Sequence, residues 1–187
     1  MLDSEKLTHE TQLIQLAIEG QKQAFGELYE HYVKQIWRYV YHRLSSAVEA
    51  DDMTETVFLK AWENLPTFGR HNRGLNFRAW LYRIAHNAVI DFHRKKTFDQ
   101  PVNEALLRVY PASLEKDCPS DEISREELIK ALGTLDAISQ HILISRFING
   151  LGIGEIASSL SISEGNVRVI QYRALKKLRQ LLGEENE

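Results

Sequence analysis

Along most of this chain the apolar residues recur every three or four positions, the spacing that puts them on one face of an α-helix. Phe25, Leu28, Tyr29, Tyr32, Ile36 and Tyr39 form one such series within AFGELYEHYVKQIWRYVYHRL. The opening segment and EADDMTETVFLKAWENL repeat the pattern, as do SREELIKALGTL, AISQHILISRFING, GIGEIASSL and GNVRVIQYRALKKLRQLL. No run alternates at period two for long enough to compete. Three of the four prolines, Pro101, Pro111 and Pro119, fall in residues 97–120, which keep no sustained helical period and read as a linker with a short helical turn at VNEALLRV. The pattern predicts an all-α chain of two small helical domains joined by a flexible tether.

The second half carries the clearest local motif. In GIGEIASSLSISEGNVRVIQYRALKKL, Ile156, Ala157 and Leu160 mark one face of a short helix, SIS makes a tight turn, and Ser163 is placed to N-cap the next helix. That helix commits Val167, Ile170, Ala174, Leu175 and Leu178 to the core. Small Ala157 allows the close crossing that a helix-turn-helix requires. Glu164, Asn166, Arg168, Val169, Gln171, Tyr172 and Arg173 are left exposed. Arg, Asn and Gln each offer two hydrogen bonds to a base edge, and Lys176, Lys177 and Arg179 suit phosphates. A helical hairpin with a solvated basic face is the alternative. Ser161 stands where such turns often carry glycine, and Gly154 loosens the first helix by about 1 kcal/mol relative to alanine.

A second cationic helix is predicted from Phe77. Its apolar stripe is Phe77, Trp80, Leu81, Ile84, Ala88 and Phe92, and Arg78, Tyr82, Arg83, His86, Asn87, Asp91 and Arg94 lie outside the stripe. FGRHNRGLN, just before it, is a polar, glycine-containing loop with room for an unstacked base. Such an outer face suits partly opened or single-stranded DNA. Read locally, it is equally a solvated basic face.

Charge sharpens the picture. The formal net charge of -3 conceals +6 over residues 70–96 and +2 over 166–187, against -5 over 1–69 and -4 over 121–165. Two separate anion-binding surfaces are implied, and the acidic first segment calls for a basic protein partner. At 187 residues and 43% hydrophobic content the chain can bury a core in one large domain or two small ones. No stretch approaches the eighteen or so apolar residues of a membrane span, and MLDSEKLTHE lacks the order of a signal peptide, so a cytoplasmic location is expected. The single cysteine, Cys118, excludes an intramolecular disulfide and a thiolate cluster for zinc. The chain ends soon after its last helix, with no appended regulatory domain expected.

Three segments in this order resemble a bacterial RNA polymerase sigma factor of the sigma-70 superfamily, in the extracytoplasmic-function (ECF) group. They are DDMTETVFLKAWENLPTF, NFRAWLYRIAHNAVIDFHRKK, and LGTLDAISQHILISRFINGLGIGEIASSLSISEGNVRVIQYRALKKLR. The resemblance implies sigma region 2 over residues 1–97, a linker over 98–120 and a region 4 helix-turn-helix over 121–187. It implies core-polymerase contacts at Asp51, Asp52, Glu55, Phe58 and Trp62. Minus-ten contacts would lie at Arg73, Asn76, Arg78, Tyr82, Arg83, His86, Asn87 and Arg94. Minus-thirty-five contacts would lie at Ser163, Glu164, Asn166, Arg168, Gln171, Tyr172, Arg173, Lys176 and Lys177.

The implied partners are core RNA polymerase, promoter DNA as duplex and melted strand, and an anti-sigma factor. No catalytic step, cofactor or metal is implied. The chain departs from the family pattern in three places. Glu55-Thr56 replaces a glutamine followed by an acid, Arg73, Leu75 and Asn76 replace small hydroxyl residues, and Asp136 replaces a proline at a helix start. Two other classes compete: a stand-alone duplex-binding regulator, and a metal enzyme using His86, Asp91 and His93. Helical spacing disfavours the metal enzyme, because it sets those three side chains off one line.

Overall fold

The computed structural model describes residues 2–71, 76–99 and 125–182, with side chains over 9–68, 76–95 and 127–182. Among these residues every regular element is helical: α1 (Leu2–Ile18), α2 (Lys22–Leu44), α3 (Ala47–His71), α4 (Phe77–Asp99), α5 (Arg125–Gly133), α6 (Ala137–Leu143), a π-turn (Ile144–Ile148), α7 (Ile153–Leu160) and α8 (Glu164–Leu181). Most of the expected linker, the turn at VNEALLRV and Cys118 lie outside the described residues. Helix α3 runs through His71, so the start of the stretch expected as a loop is its last turn.

Local chemistry sets the helix ends. Ser45 closes α2 in the left-handed conformation at φ 58°, donating its N–H to the Tyr41 carbonyl at 2.8 Å. Asp136 caps α6: its Oδ1 accepts from the N–H groups of Ile138 (3.1 Å) and Ser139 (2.9 Å), and its Oδ2 from the Ser139 hydroxyl (2.6 Å). Burial works against its ionised form, yet the bonds from Ser139 and Ile138 hold the carboxyl below the usual range. The carboxylate of Asp136 thus satisfies N–H groups that the helix start leaves without partners. Ser163 caps α8 as expected, its Oγ accepting from Asn166 N–H at 3.2 Å. Ser161 ends α7 with φ 58°. A side chain there is strained where glycine is not, so Ser161→Gly is expected to raise stability by roughly 0.5–1 kcal/mol, read as a higher denaturation midpoint with unchanged slope.

Helices α1 to α4 surround a core that includes Leu28, Tyr32, Ile36, Tyr39, Val57, Leu65, Phe77, Leu81 and Val89. This core continues without a break into Ile142, Ile144, Leu151, Ile156, Ala157 and Val167 of the second half. A smaller cluster, Ala131, Leu135, Leu143, Ala174 and Leu178, ties α5, α6 and α8 together. The two helical domains are thus packed on each other, and α4 lies between them. Its apolar stripe faces α2 and α3. Its opposite side, with Arg78, Arg83 and His86, faces the second domain.

Candidate polymerase and nucleic-acid interfaces

Helix α3 presents one exposed stripe away from its core face. Val48, Asp52, Glu55 and Leu59 recur at intervals of four, three and four residues, and all are exposed, Val48 by 71% and Leu59 by 60%. Two large apolar side chains beside two carboxylates in open solvent have the composition of a protein-docking surface. Asp51 borders the stripe and accepts a 2.6 Å bond from Trp37 Nε1. Phe58 and Trp62, expected on the docking surface, serve a different purpose. Phe58 is buried, with its ring against Phe25 and Tyr29, and half-buried Trp62 lies edge-on to Phe25 at 5.0 Å. Both rings brace α3 against α2. Val48 and Leu59 were overlooked in the sequence, although each is an apolar residue out of phase with the stripe.

On α8, Glu164, Asn166, Arg168, Val169, Tyr172, Arg173, Lys176 and Lys177 are exposed on the helix that follows the Ser163 cap. Arg168 leans on Glu164 at 3.3 Å, and Lys177 Nζ donates to the Thr134 carbonyl at 3.3 Å. Gln171 departs from expectation: it is half-buried, and its Oε1 is enclosed without a hydrogen bond among the described residues. Its amide is turned inward, so the face that can meet a major groove is narrower than the sequence suggested.

The residues expected to read the minus-ten strand divide into two groups. Asn87 and Arg94 are exposed, with Arg94 held to Asp91 at 3.2 Å. Asn76 starts α4, its Oδ1 accepting from Ala79 N–H at 2.7 Å while its Nδ2 donates to Glu155 Oε1 at 3.2 Å. Arg73 lies outside the described residues. Arg78, Tyr82, Arg83 and His86 do not form the open face expected of them: Arg78, Arg83 and His86 meet the second domain, and Tyr82 is buried with its ring against Tyr39 of α2.

Arg83 donates to the carbonyls of Ser158 (2.5 Å) and Ser159 (3.2 Å) in the last turn of α7, and Arg78 donates to the Asn149 carbonyl at 2.6 Å. Arg78 also approaches Glu155 at 3.6 Å, and Arg38 donates to Asn149 Oδ1 at 3.1 Å. Hydrogen bonds that carry a charge contribute about 1.5–3 kcal/mol each, so together these outweigh any single surface ion pair. Tyr82 is fully buried, its hydroxyl lacks a partner among the described residues, and burial pushes its pKa up.

Behind the arginines runs a buried polar chain. Arg43 Nη1 donates to the Tyr39 hydroxyl at 3.1 Å, which lies 2.8 Å from His141 Nδ1; His141 Nε2 lies 2.9 Å from Ser159 Oγ, which donates to the Ile156 carbonyl at 2.8 Å. With the Ser159 proton given to Ile156, Nε2–H donates to Ser159 Oγ, and in the neutral ring Nδ1 accepts from the Tyr39 hydroxyl. The His86 ring lies 4.6 Å from it. Burial first, and Arg43 second, push His86 down to about 4, while burial, His86 and Arg43 hold His141 well below its usual range.

The metal set considered from the sequence is not brought together, since His86 faces His141 and Asp91 is paired with Arg94. Among the described residues no three metal-binding side chains cluster, and no helix is long and apolar enough to cross a membrane.

The described residues thus form a four-helix unit with an exposed acidic and apolar ridge, followed by a helix-turn-helix with an exposed basic face. The family models for Sigma-70 region 2 and Sigma-70, region 4 match residues 28–98 and 131–180. The chain belongs to the sigma-70 family, in its ECF group of RNA polymerase sigma factors. It is 32% identical over 176 residues to the ECF RNA polymerase sigma factor BldN of Streptomyces coelicolor, a match covering 93% of this chain and 66% of that protein.

The fold is similar to two solved structures. The structure of CnrH in complex with the cytosolic domain of CnrY has a TM-score of 0.67 at 22% identity, covering 95% of this chain and 99% of that one. The sigma factor RpoE in complex with the anti-sigma factor NepR, from Bartonella quintana, has a TM-score of 0.67 at 20% identity, covering 87% and 98%.

Proposed function

We propose that this sigma factor docks on core RNA polymerase through the exposed α3 stripe, reads a minus-thirty-five duplex with α8, and opens and holds the minus-ten strand along α4. Residues 1–97 act as the docking and melting domain and 121–187 as the duplex reader, with 98–120 as the tether between them. Work is done by binding alone: unstacking a base costs a few kcal/mol, offset by stacking and cationic contacts. The observation that carries this reading is the exposure of the α3 stripe and the α8 face on separate elements of a chain that matches both sigma regions in order. The acidic surplus of the first domain then has its basic partner in the polymerase clamp. The action belongs where the polymerase acts, in the cytoplasm. Control by an anti-sigma protein is part of the same reading, supported by the bound partner in the RpoE structure.

Asp52 is exposed, and no packing depends on it. Asp52→Ala is expected to weaken core binding by roughly 1–2 kcal/mol, about 5- to 30-fold, while the affinity for minus-thirty-five duplex is unchanged. Titration of labelled core polymerase with wild type and variant measures it. Wild-type core affinity in Asp52→Ala and Leu59→Ala alike removes α3 as the docking surface. Specific transcripts from purified core and this chain, over a pool of genomic promoters, test the whole reading. If the chain binds duplex but not core, it is a stand-alone regulator.

A further inference from the structure

Helix α8 holds two large apolar side chains in the middle of its basic face, and both stand open to solvent. The helical period sets Val169 and Tyr172 opposite buried Val167, Ala174 and Leu178, and leaves them 47% and 69% exposed. Three residues apart, they are neighbours on the helix surface. Arg168 and Arg173 flank them and Lys176 follows, all exposed. Gly165, one turn before Val169, adds no side chain to this face, and a β-carbon at that position would meet only the Ser163 hydroxyl, at 3.9 Å. The first turns of α8 are therefore low enough for another surface to come close to Val169.

A cationic rim around an apolar centre matches a DNA duplex part by part. The rim suits phosphates, which brings the centre over the base edges. Donors and acceptors line the floor of the major groove, and the apolar group among them in unmodified DNA is the 5-methyl of thymine. A 5-methylcytosine carries the same group at the same ring position. Valine over such a methyl takes apolar surface of both partners out of water. Over a bare cytosine it would instead cover an amino group and leave that donor without a partner.

We propose that Val169, with the Tyr172 ring beside it, is a specificity-determining residue that reads a pyrimidine 5-methyl group in the minus-thirty-five element. The inference rests on α8 as the duplex reader and adds to that reading one base the element must hold. In unmodified DNA that base is thymine, and in methylated DNA 5-methylcytosine takes its place.

The test is competition binding of the holoenzyme to duplexes that carry the minus-thirty-five element of a promoter it transcribes. Each thymine of the element is replaced in turn by deoxyuridine, which removes the methyl and keeps every hydrogen-bonding group of the base. Each cytosine is likewise compared with 5-methylcytosine. Wild type is expected to bind about two- to fivefold more weakly when one particular thymine loses its methyl. Val169→Ala is expected to bind the thymine duplex more weakly by a similar factor, and to lose nothing further on deoxyuridine. Because Val169 is exposed, alanine there leaves the core of α8 intact.

A gain on methylating one cytosine, abolished by Val169→Ala and with no loss at any thymine, supports the proposal with 5-methylcytosine as the source. Wild-type binding that is specific for the element yet indifferent to every methyl overturns it and leaves α8 as the duplex reader. A methyl effect that persists undiminished in Val169→Ala also overturns it, because the contact then belongs to another residue. If the holoenzyme does not distinguish the element from unrelated duplex, the duplex-reading assignment of α8 fails and the proposal with it.

Discussion

Arg173→Ala is expected to weaken binding of the holoenzyme to a minus-thirty-five duplex by roughly 1–3 kcal/mol, about 5- to 150-fold. Arg173 is exposed on α8 and makes no ion pair or hydrogen bond among the described residues, so its guanidinium is available at no cost. Arg168 differs, because it must first leave Glu164, an exposed i,i+4 pair worth a few tenths of a kcal/mol. Arg168→Ala is expected to act in the same direction and less strongly. Competition binding with single-base variants of the duplex separates two outcomes. A base contact relaxes specificity at one position. A phosphate contact weakens all sequences alike and lowers the salt slope by about one. Unchanged promoter use in both variants removes α8 as the reading helix.

Acidification is expected to loosen the contact between the two domains. His86 is held near 4 in the folded chain, well under the 6.5 of a free imidazole. Between those values the folded chain binds fewer protons than the open or unfolded chain, so stability falls as pH falls. Above pH 6.5 both forms are neutral and nothing is lost. By pH 5 the loss from His86 alone is on the order of 2 kcal/mol.

His141 acts in the same direction, since a proton on Nδ1 would abolish the bond from Tyr39. The cationic neighbour in both cases is Arg43, and the other groups around the pair, Tyr39, Tyr82 and Ser159, supply no compensating negative charge. Asp136 contributes in a separate, lower window, because a carboxyl held down by its bonds loses its stabilising effect only as pH drops through its folded pKa. Urea unfolding at pH 7.5 and pH 5 measures the difference, and His86→Gln is expected to flatten it. Equal midpoints at the two pH values would show that the imidazoles are not closed in.

Particular residues show why some features were legible in advance. The caps at Ser163 and Asp136 are local: the side chain bonds to an N–H two or three residues away, so the letters alone announce them. The core of α8 follows from helical period in the same way. Phe58 and Trp62 were misread because an aromatic on a docking helix looks alike in sequence whether it faces a partner or its own α2. Leu59, conversely, was readable from its phase. His86 was beyond local reading, since the ring that faces it, His141, comes from far along the chain.

What the sequence by itself determined is therefore the helices, their ends, the two sigma regions and the uneven charge, all consequences of interactions within a few residues or of simple periodicity. Only the tertiary structure decided which polar faces stay open. That choice depends on carbonyl oxygens of Asn149 and of the end of α7 meeting Arg78 and Arg83 of α4, and on a chain of hydrogen bonds through His141. Both are contacts between distant residues, in which backbone atoms common to every sequence do half of the binding.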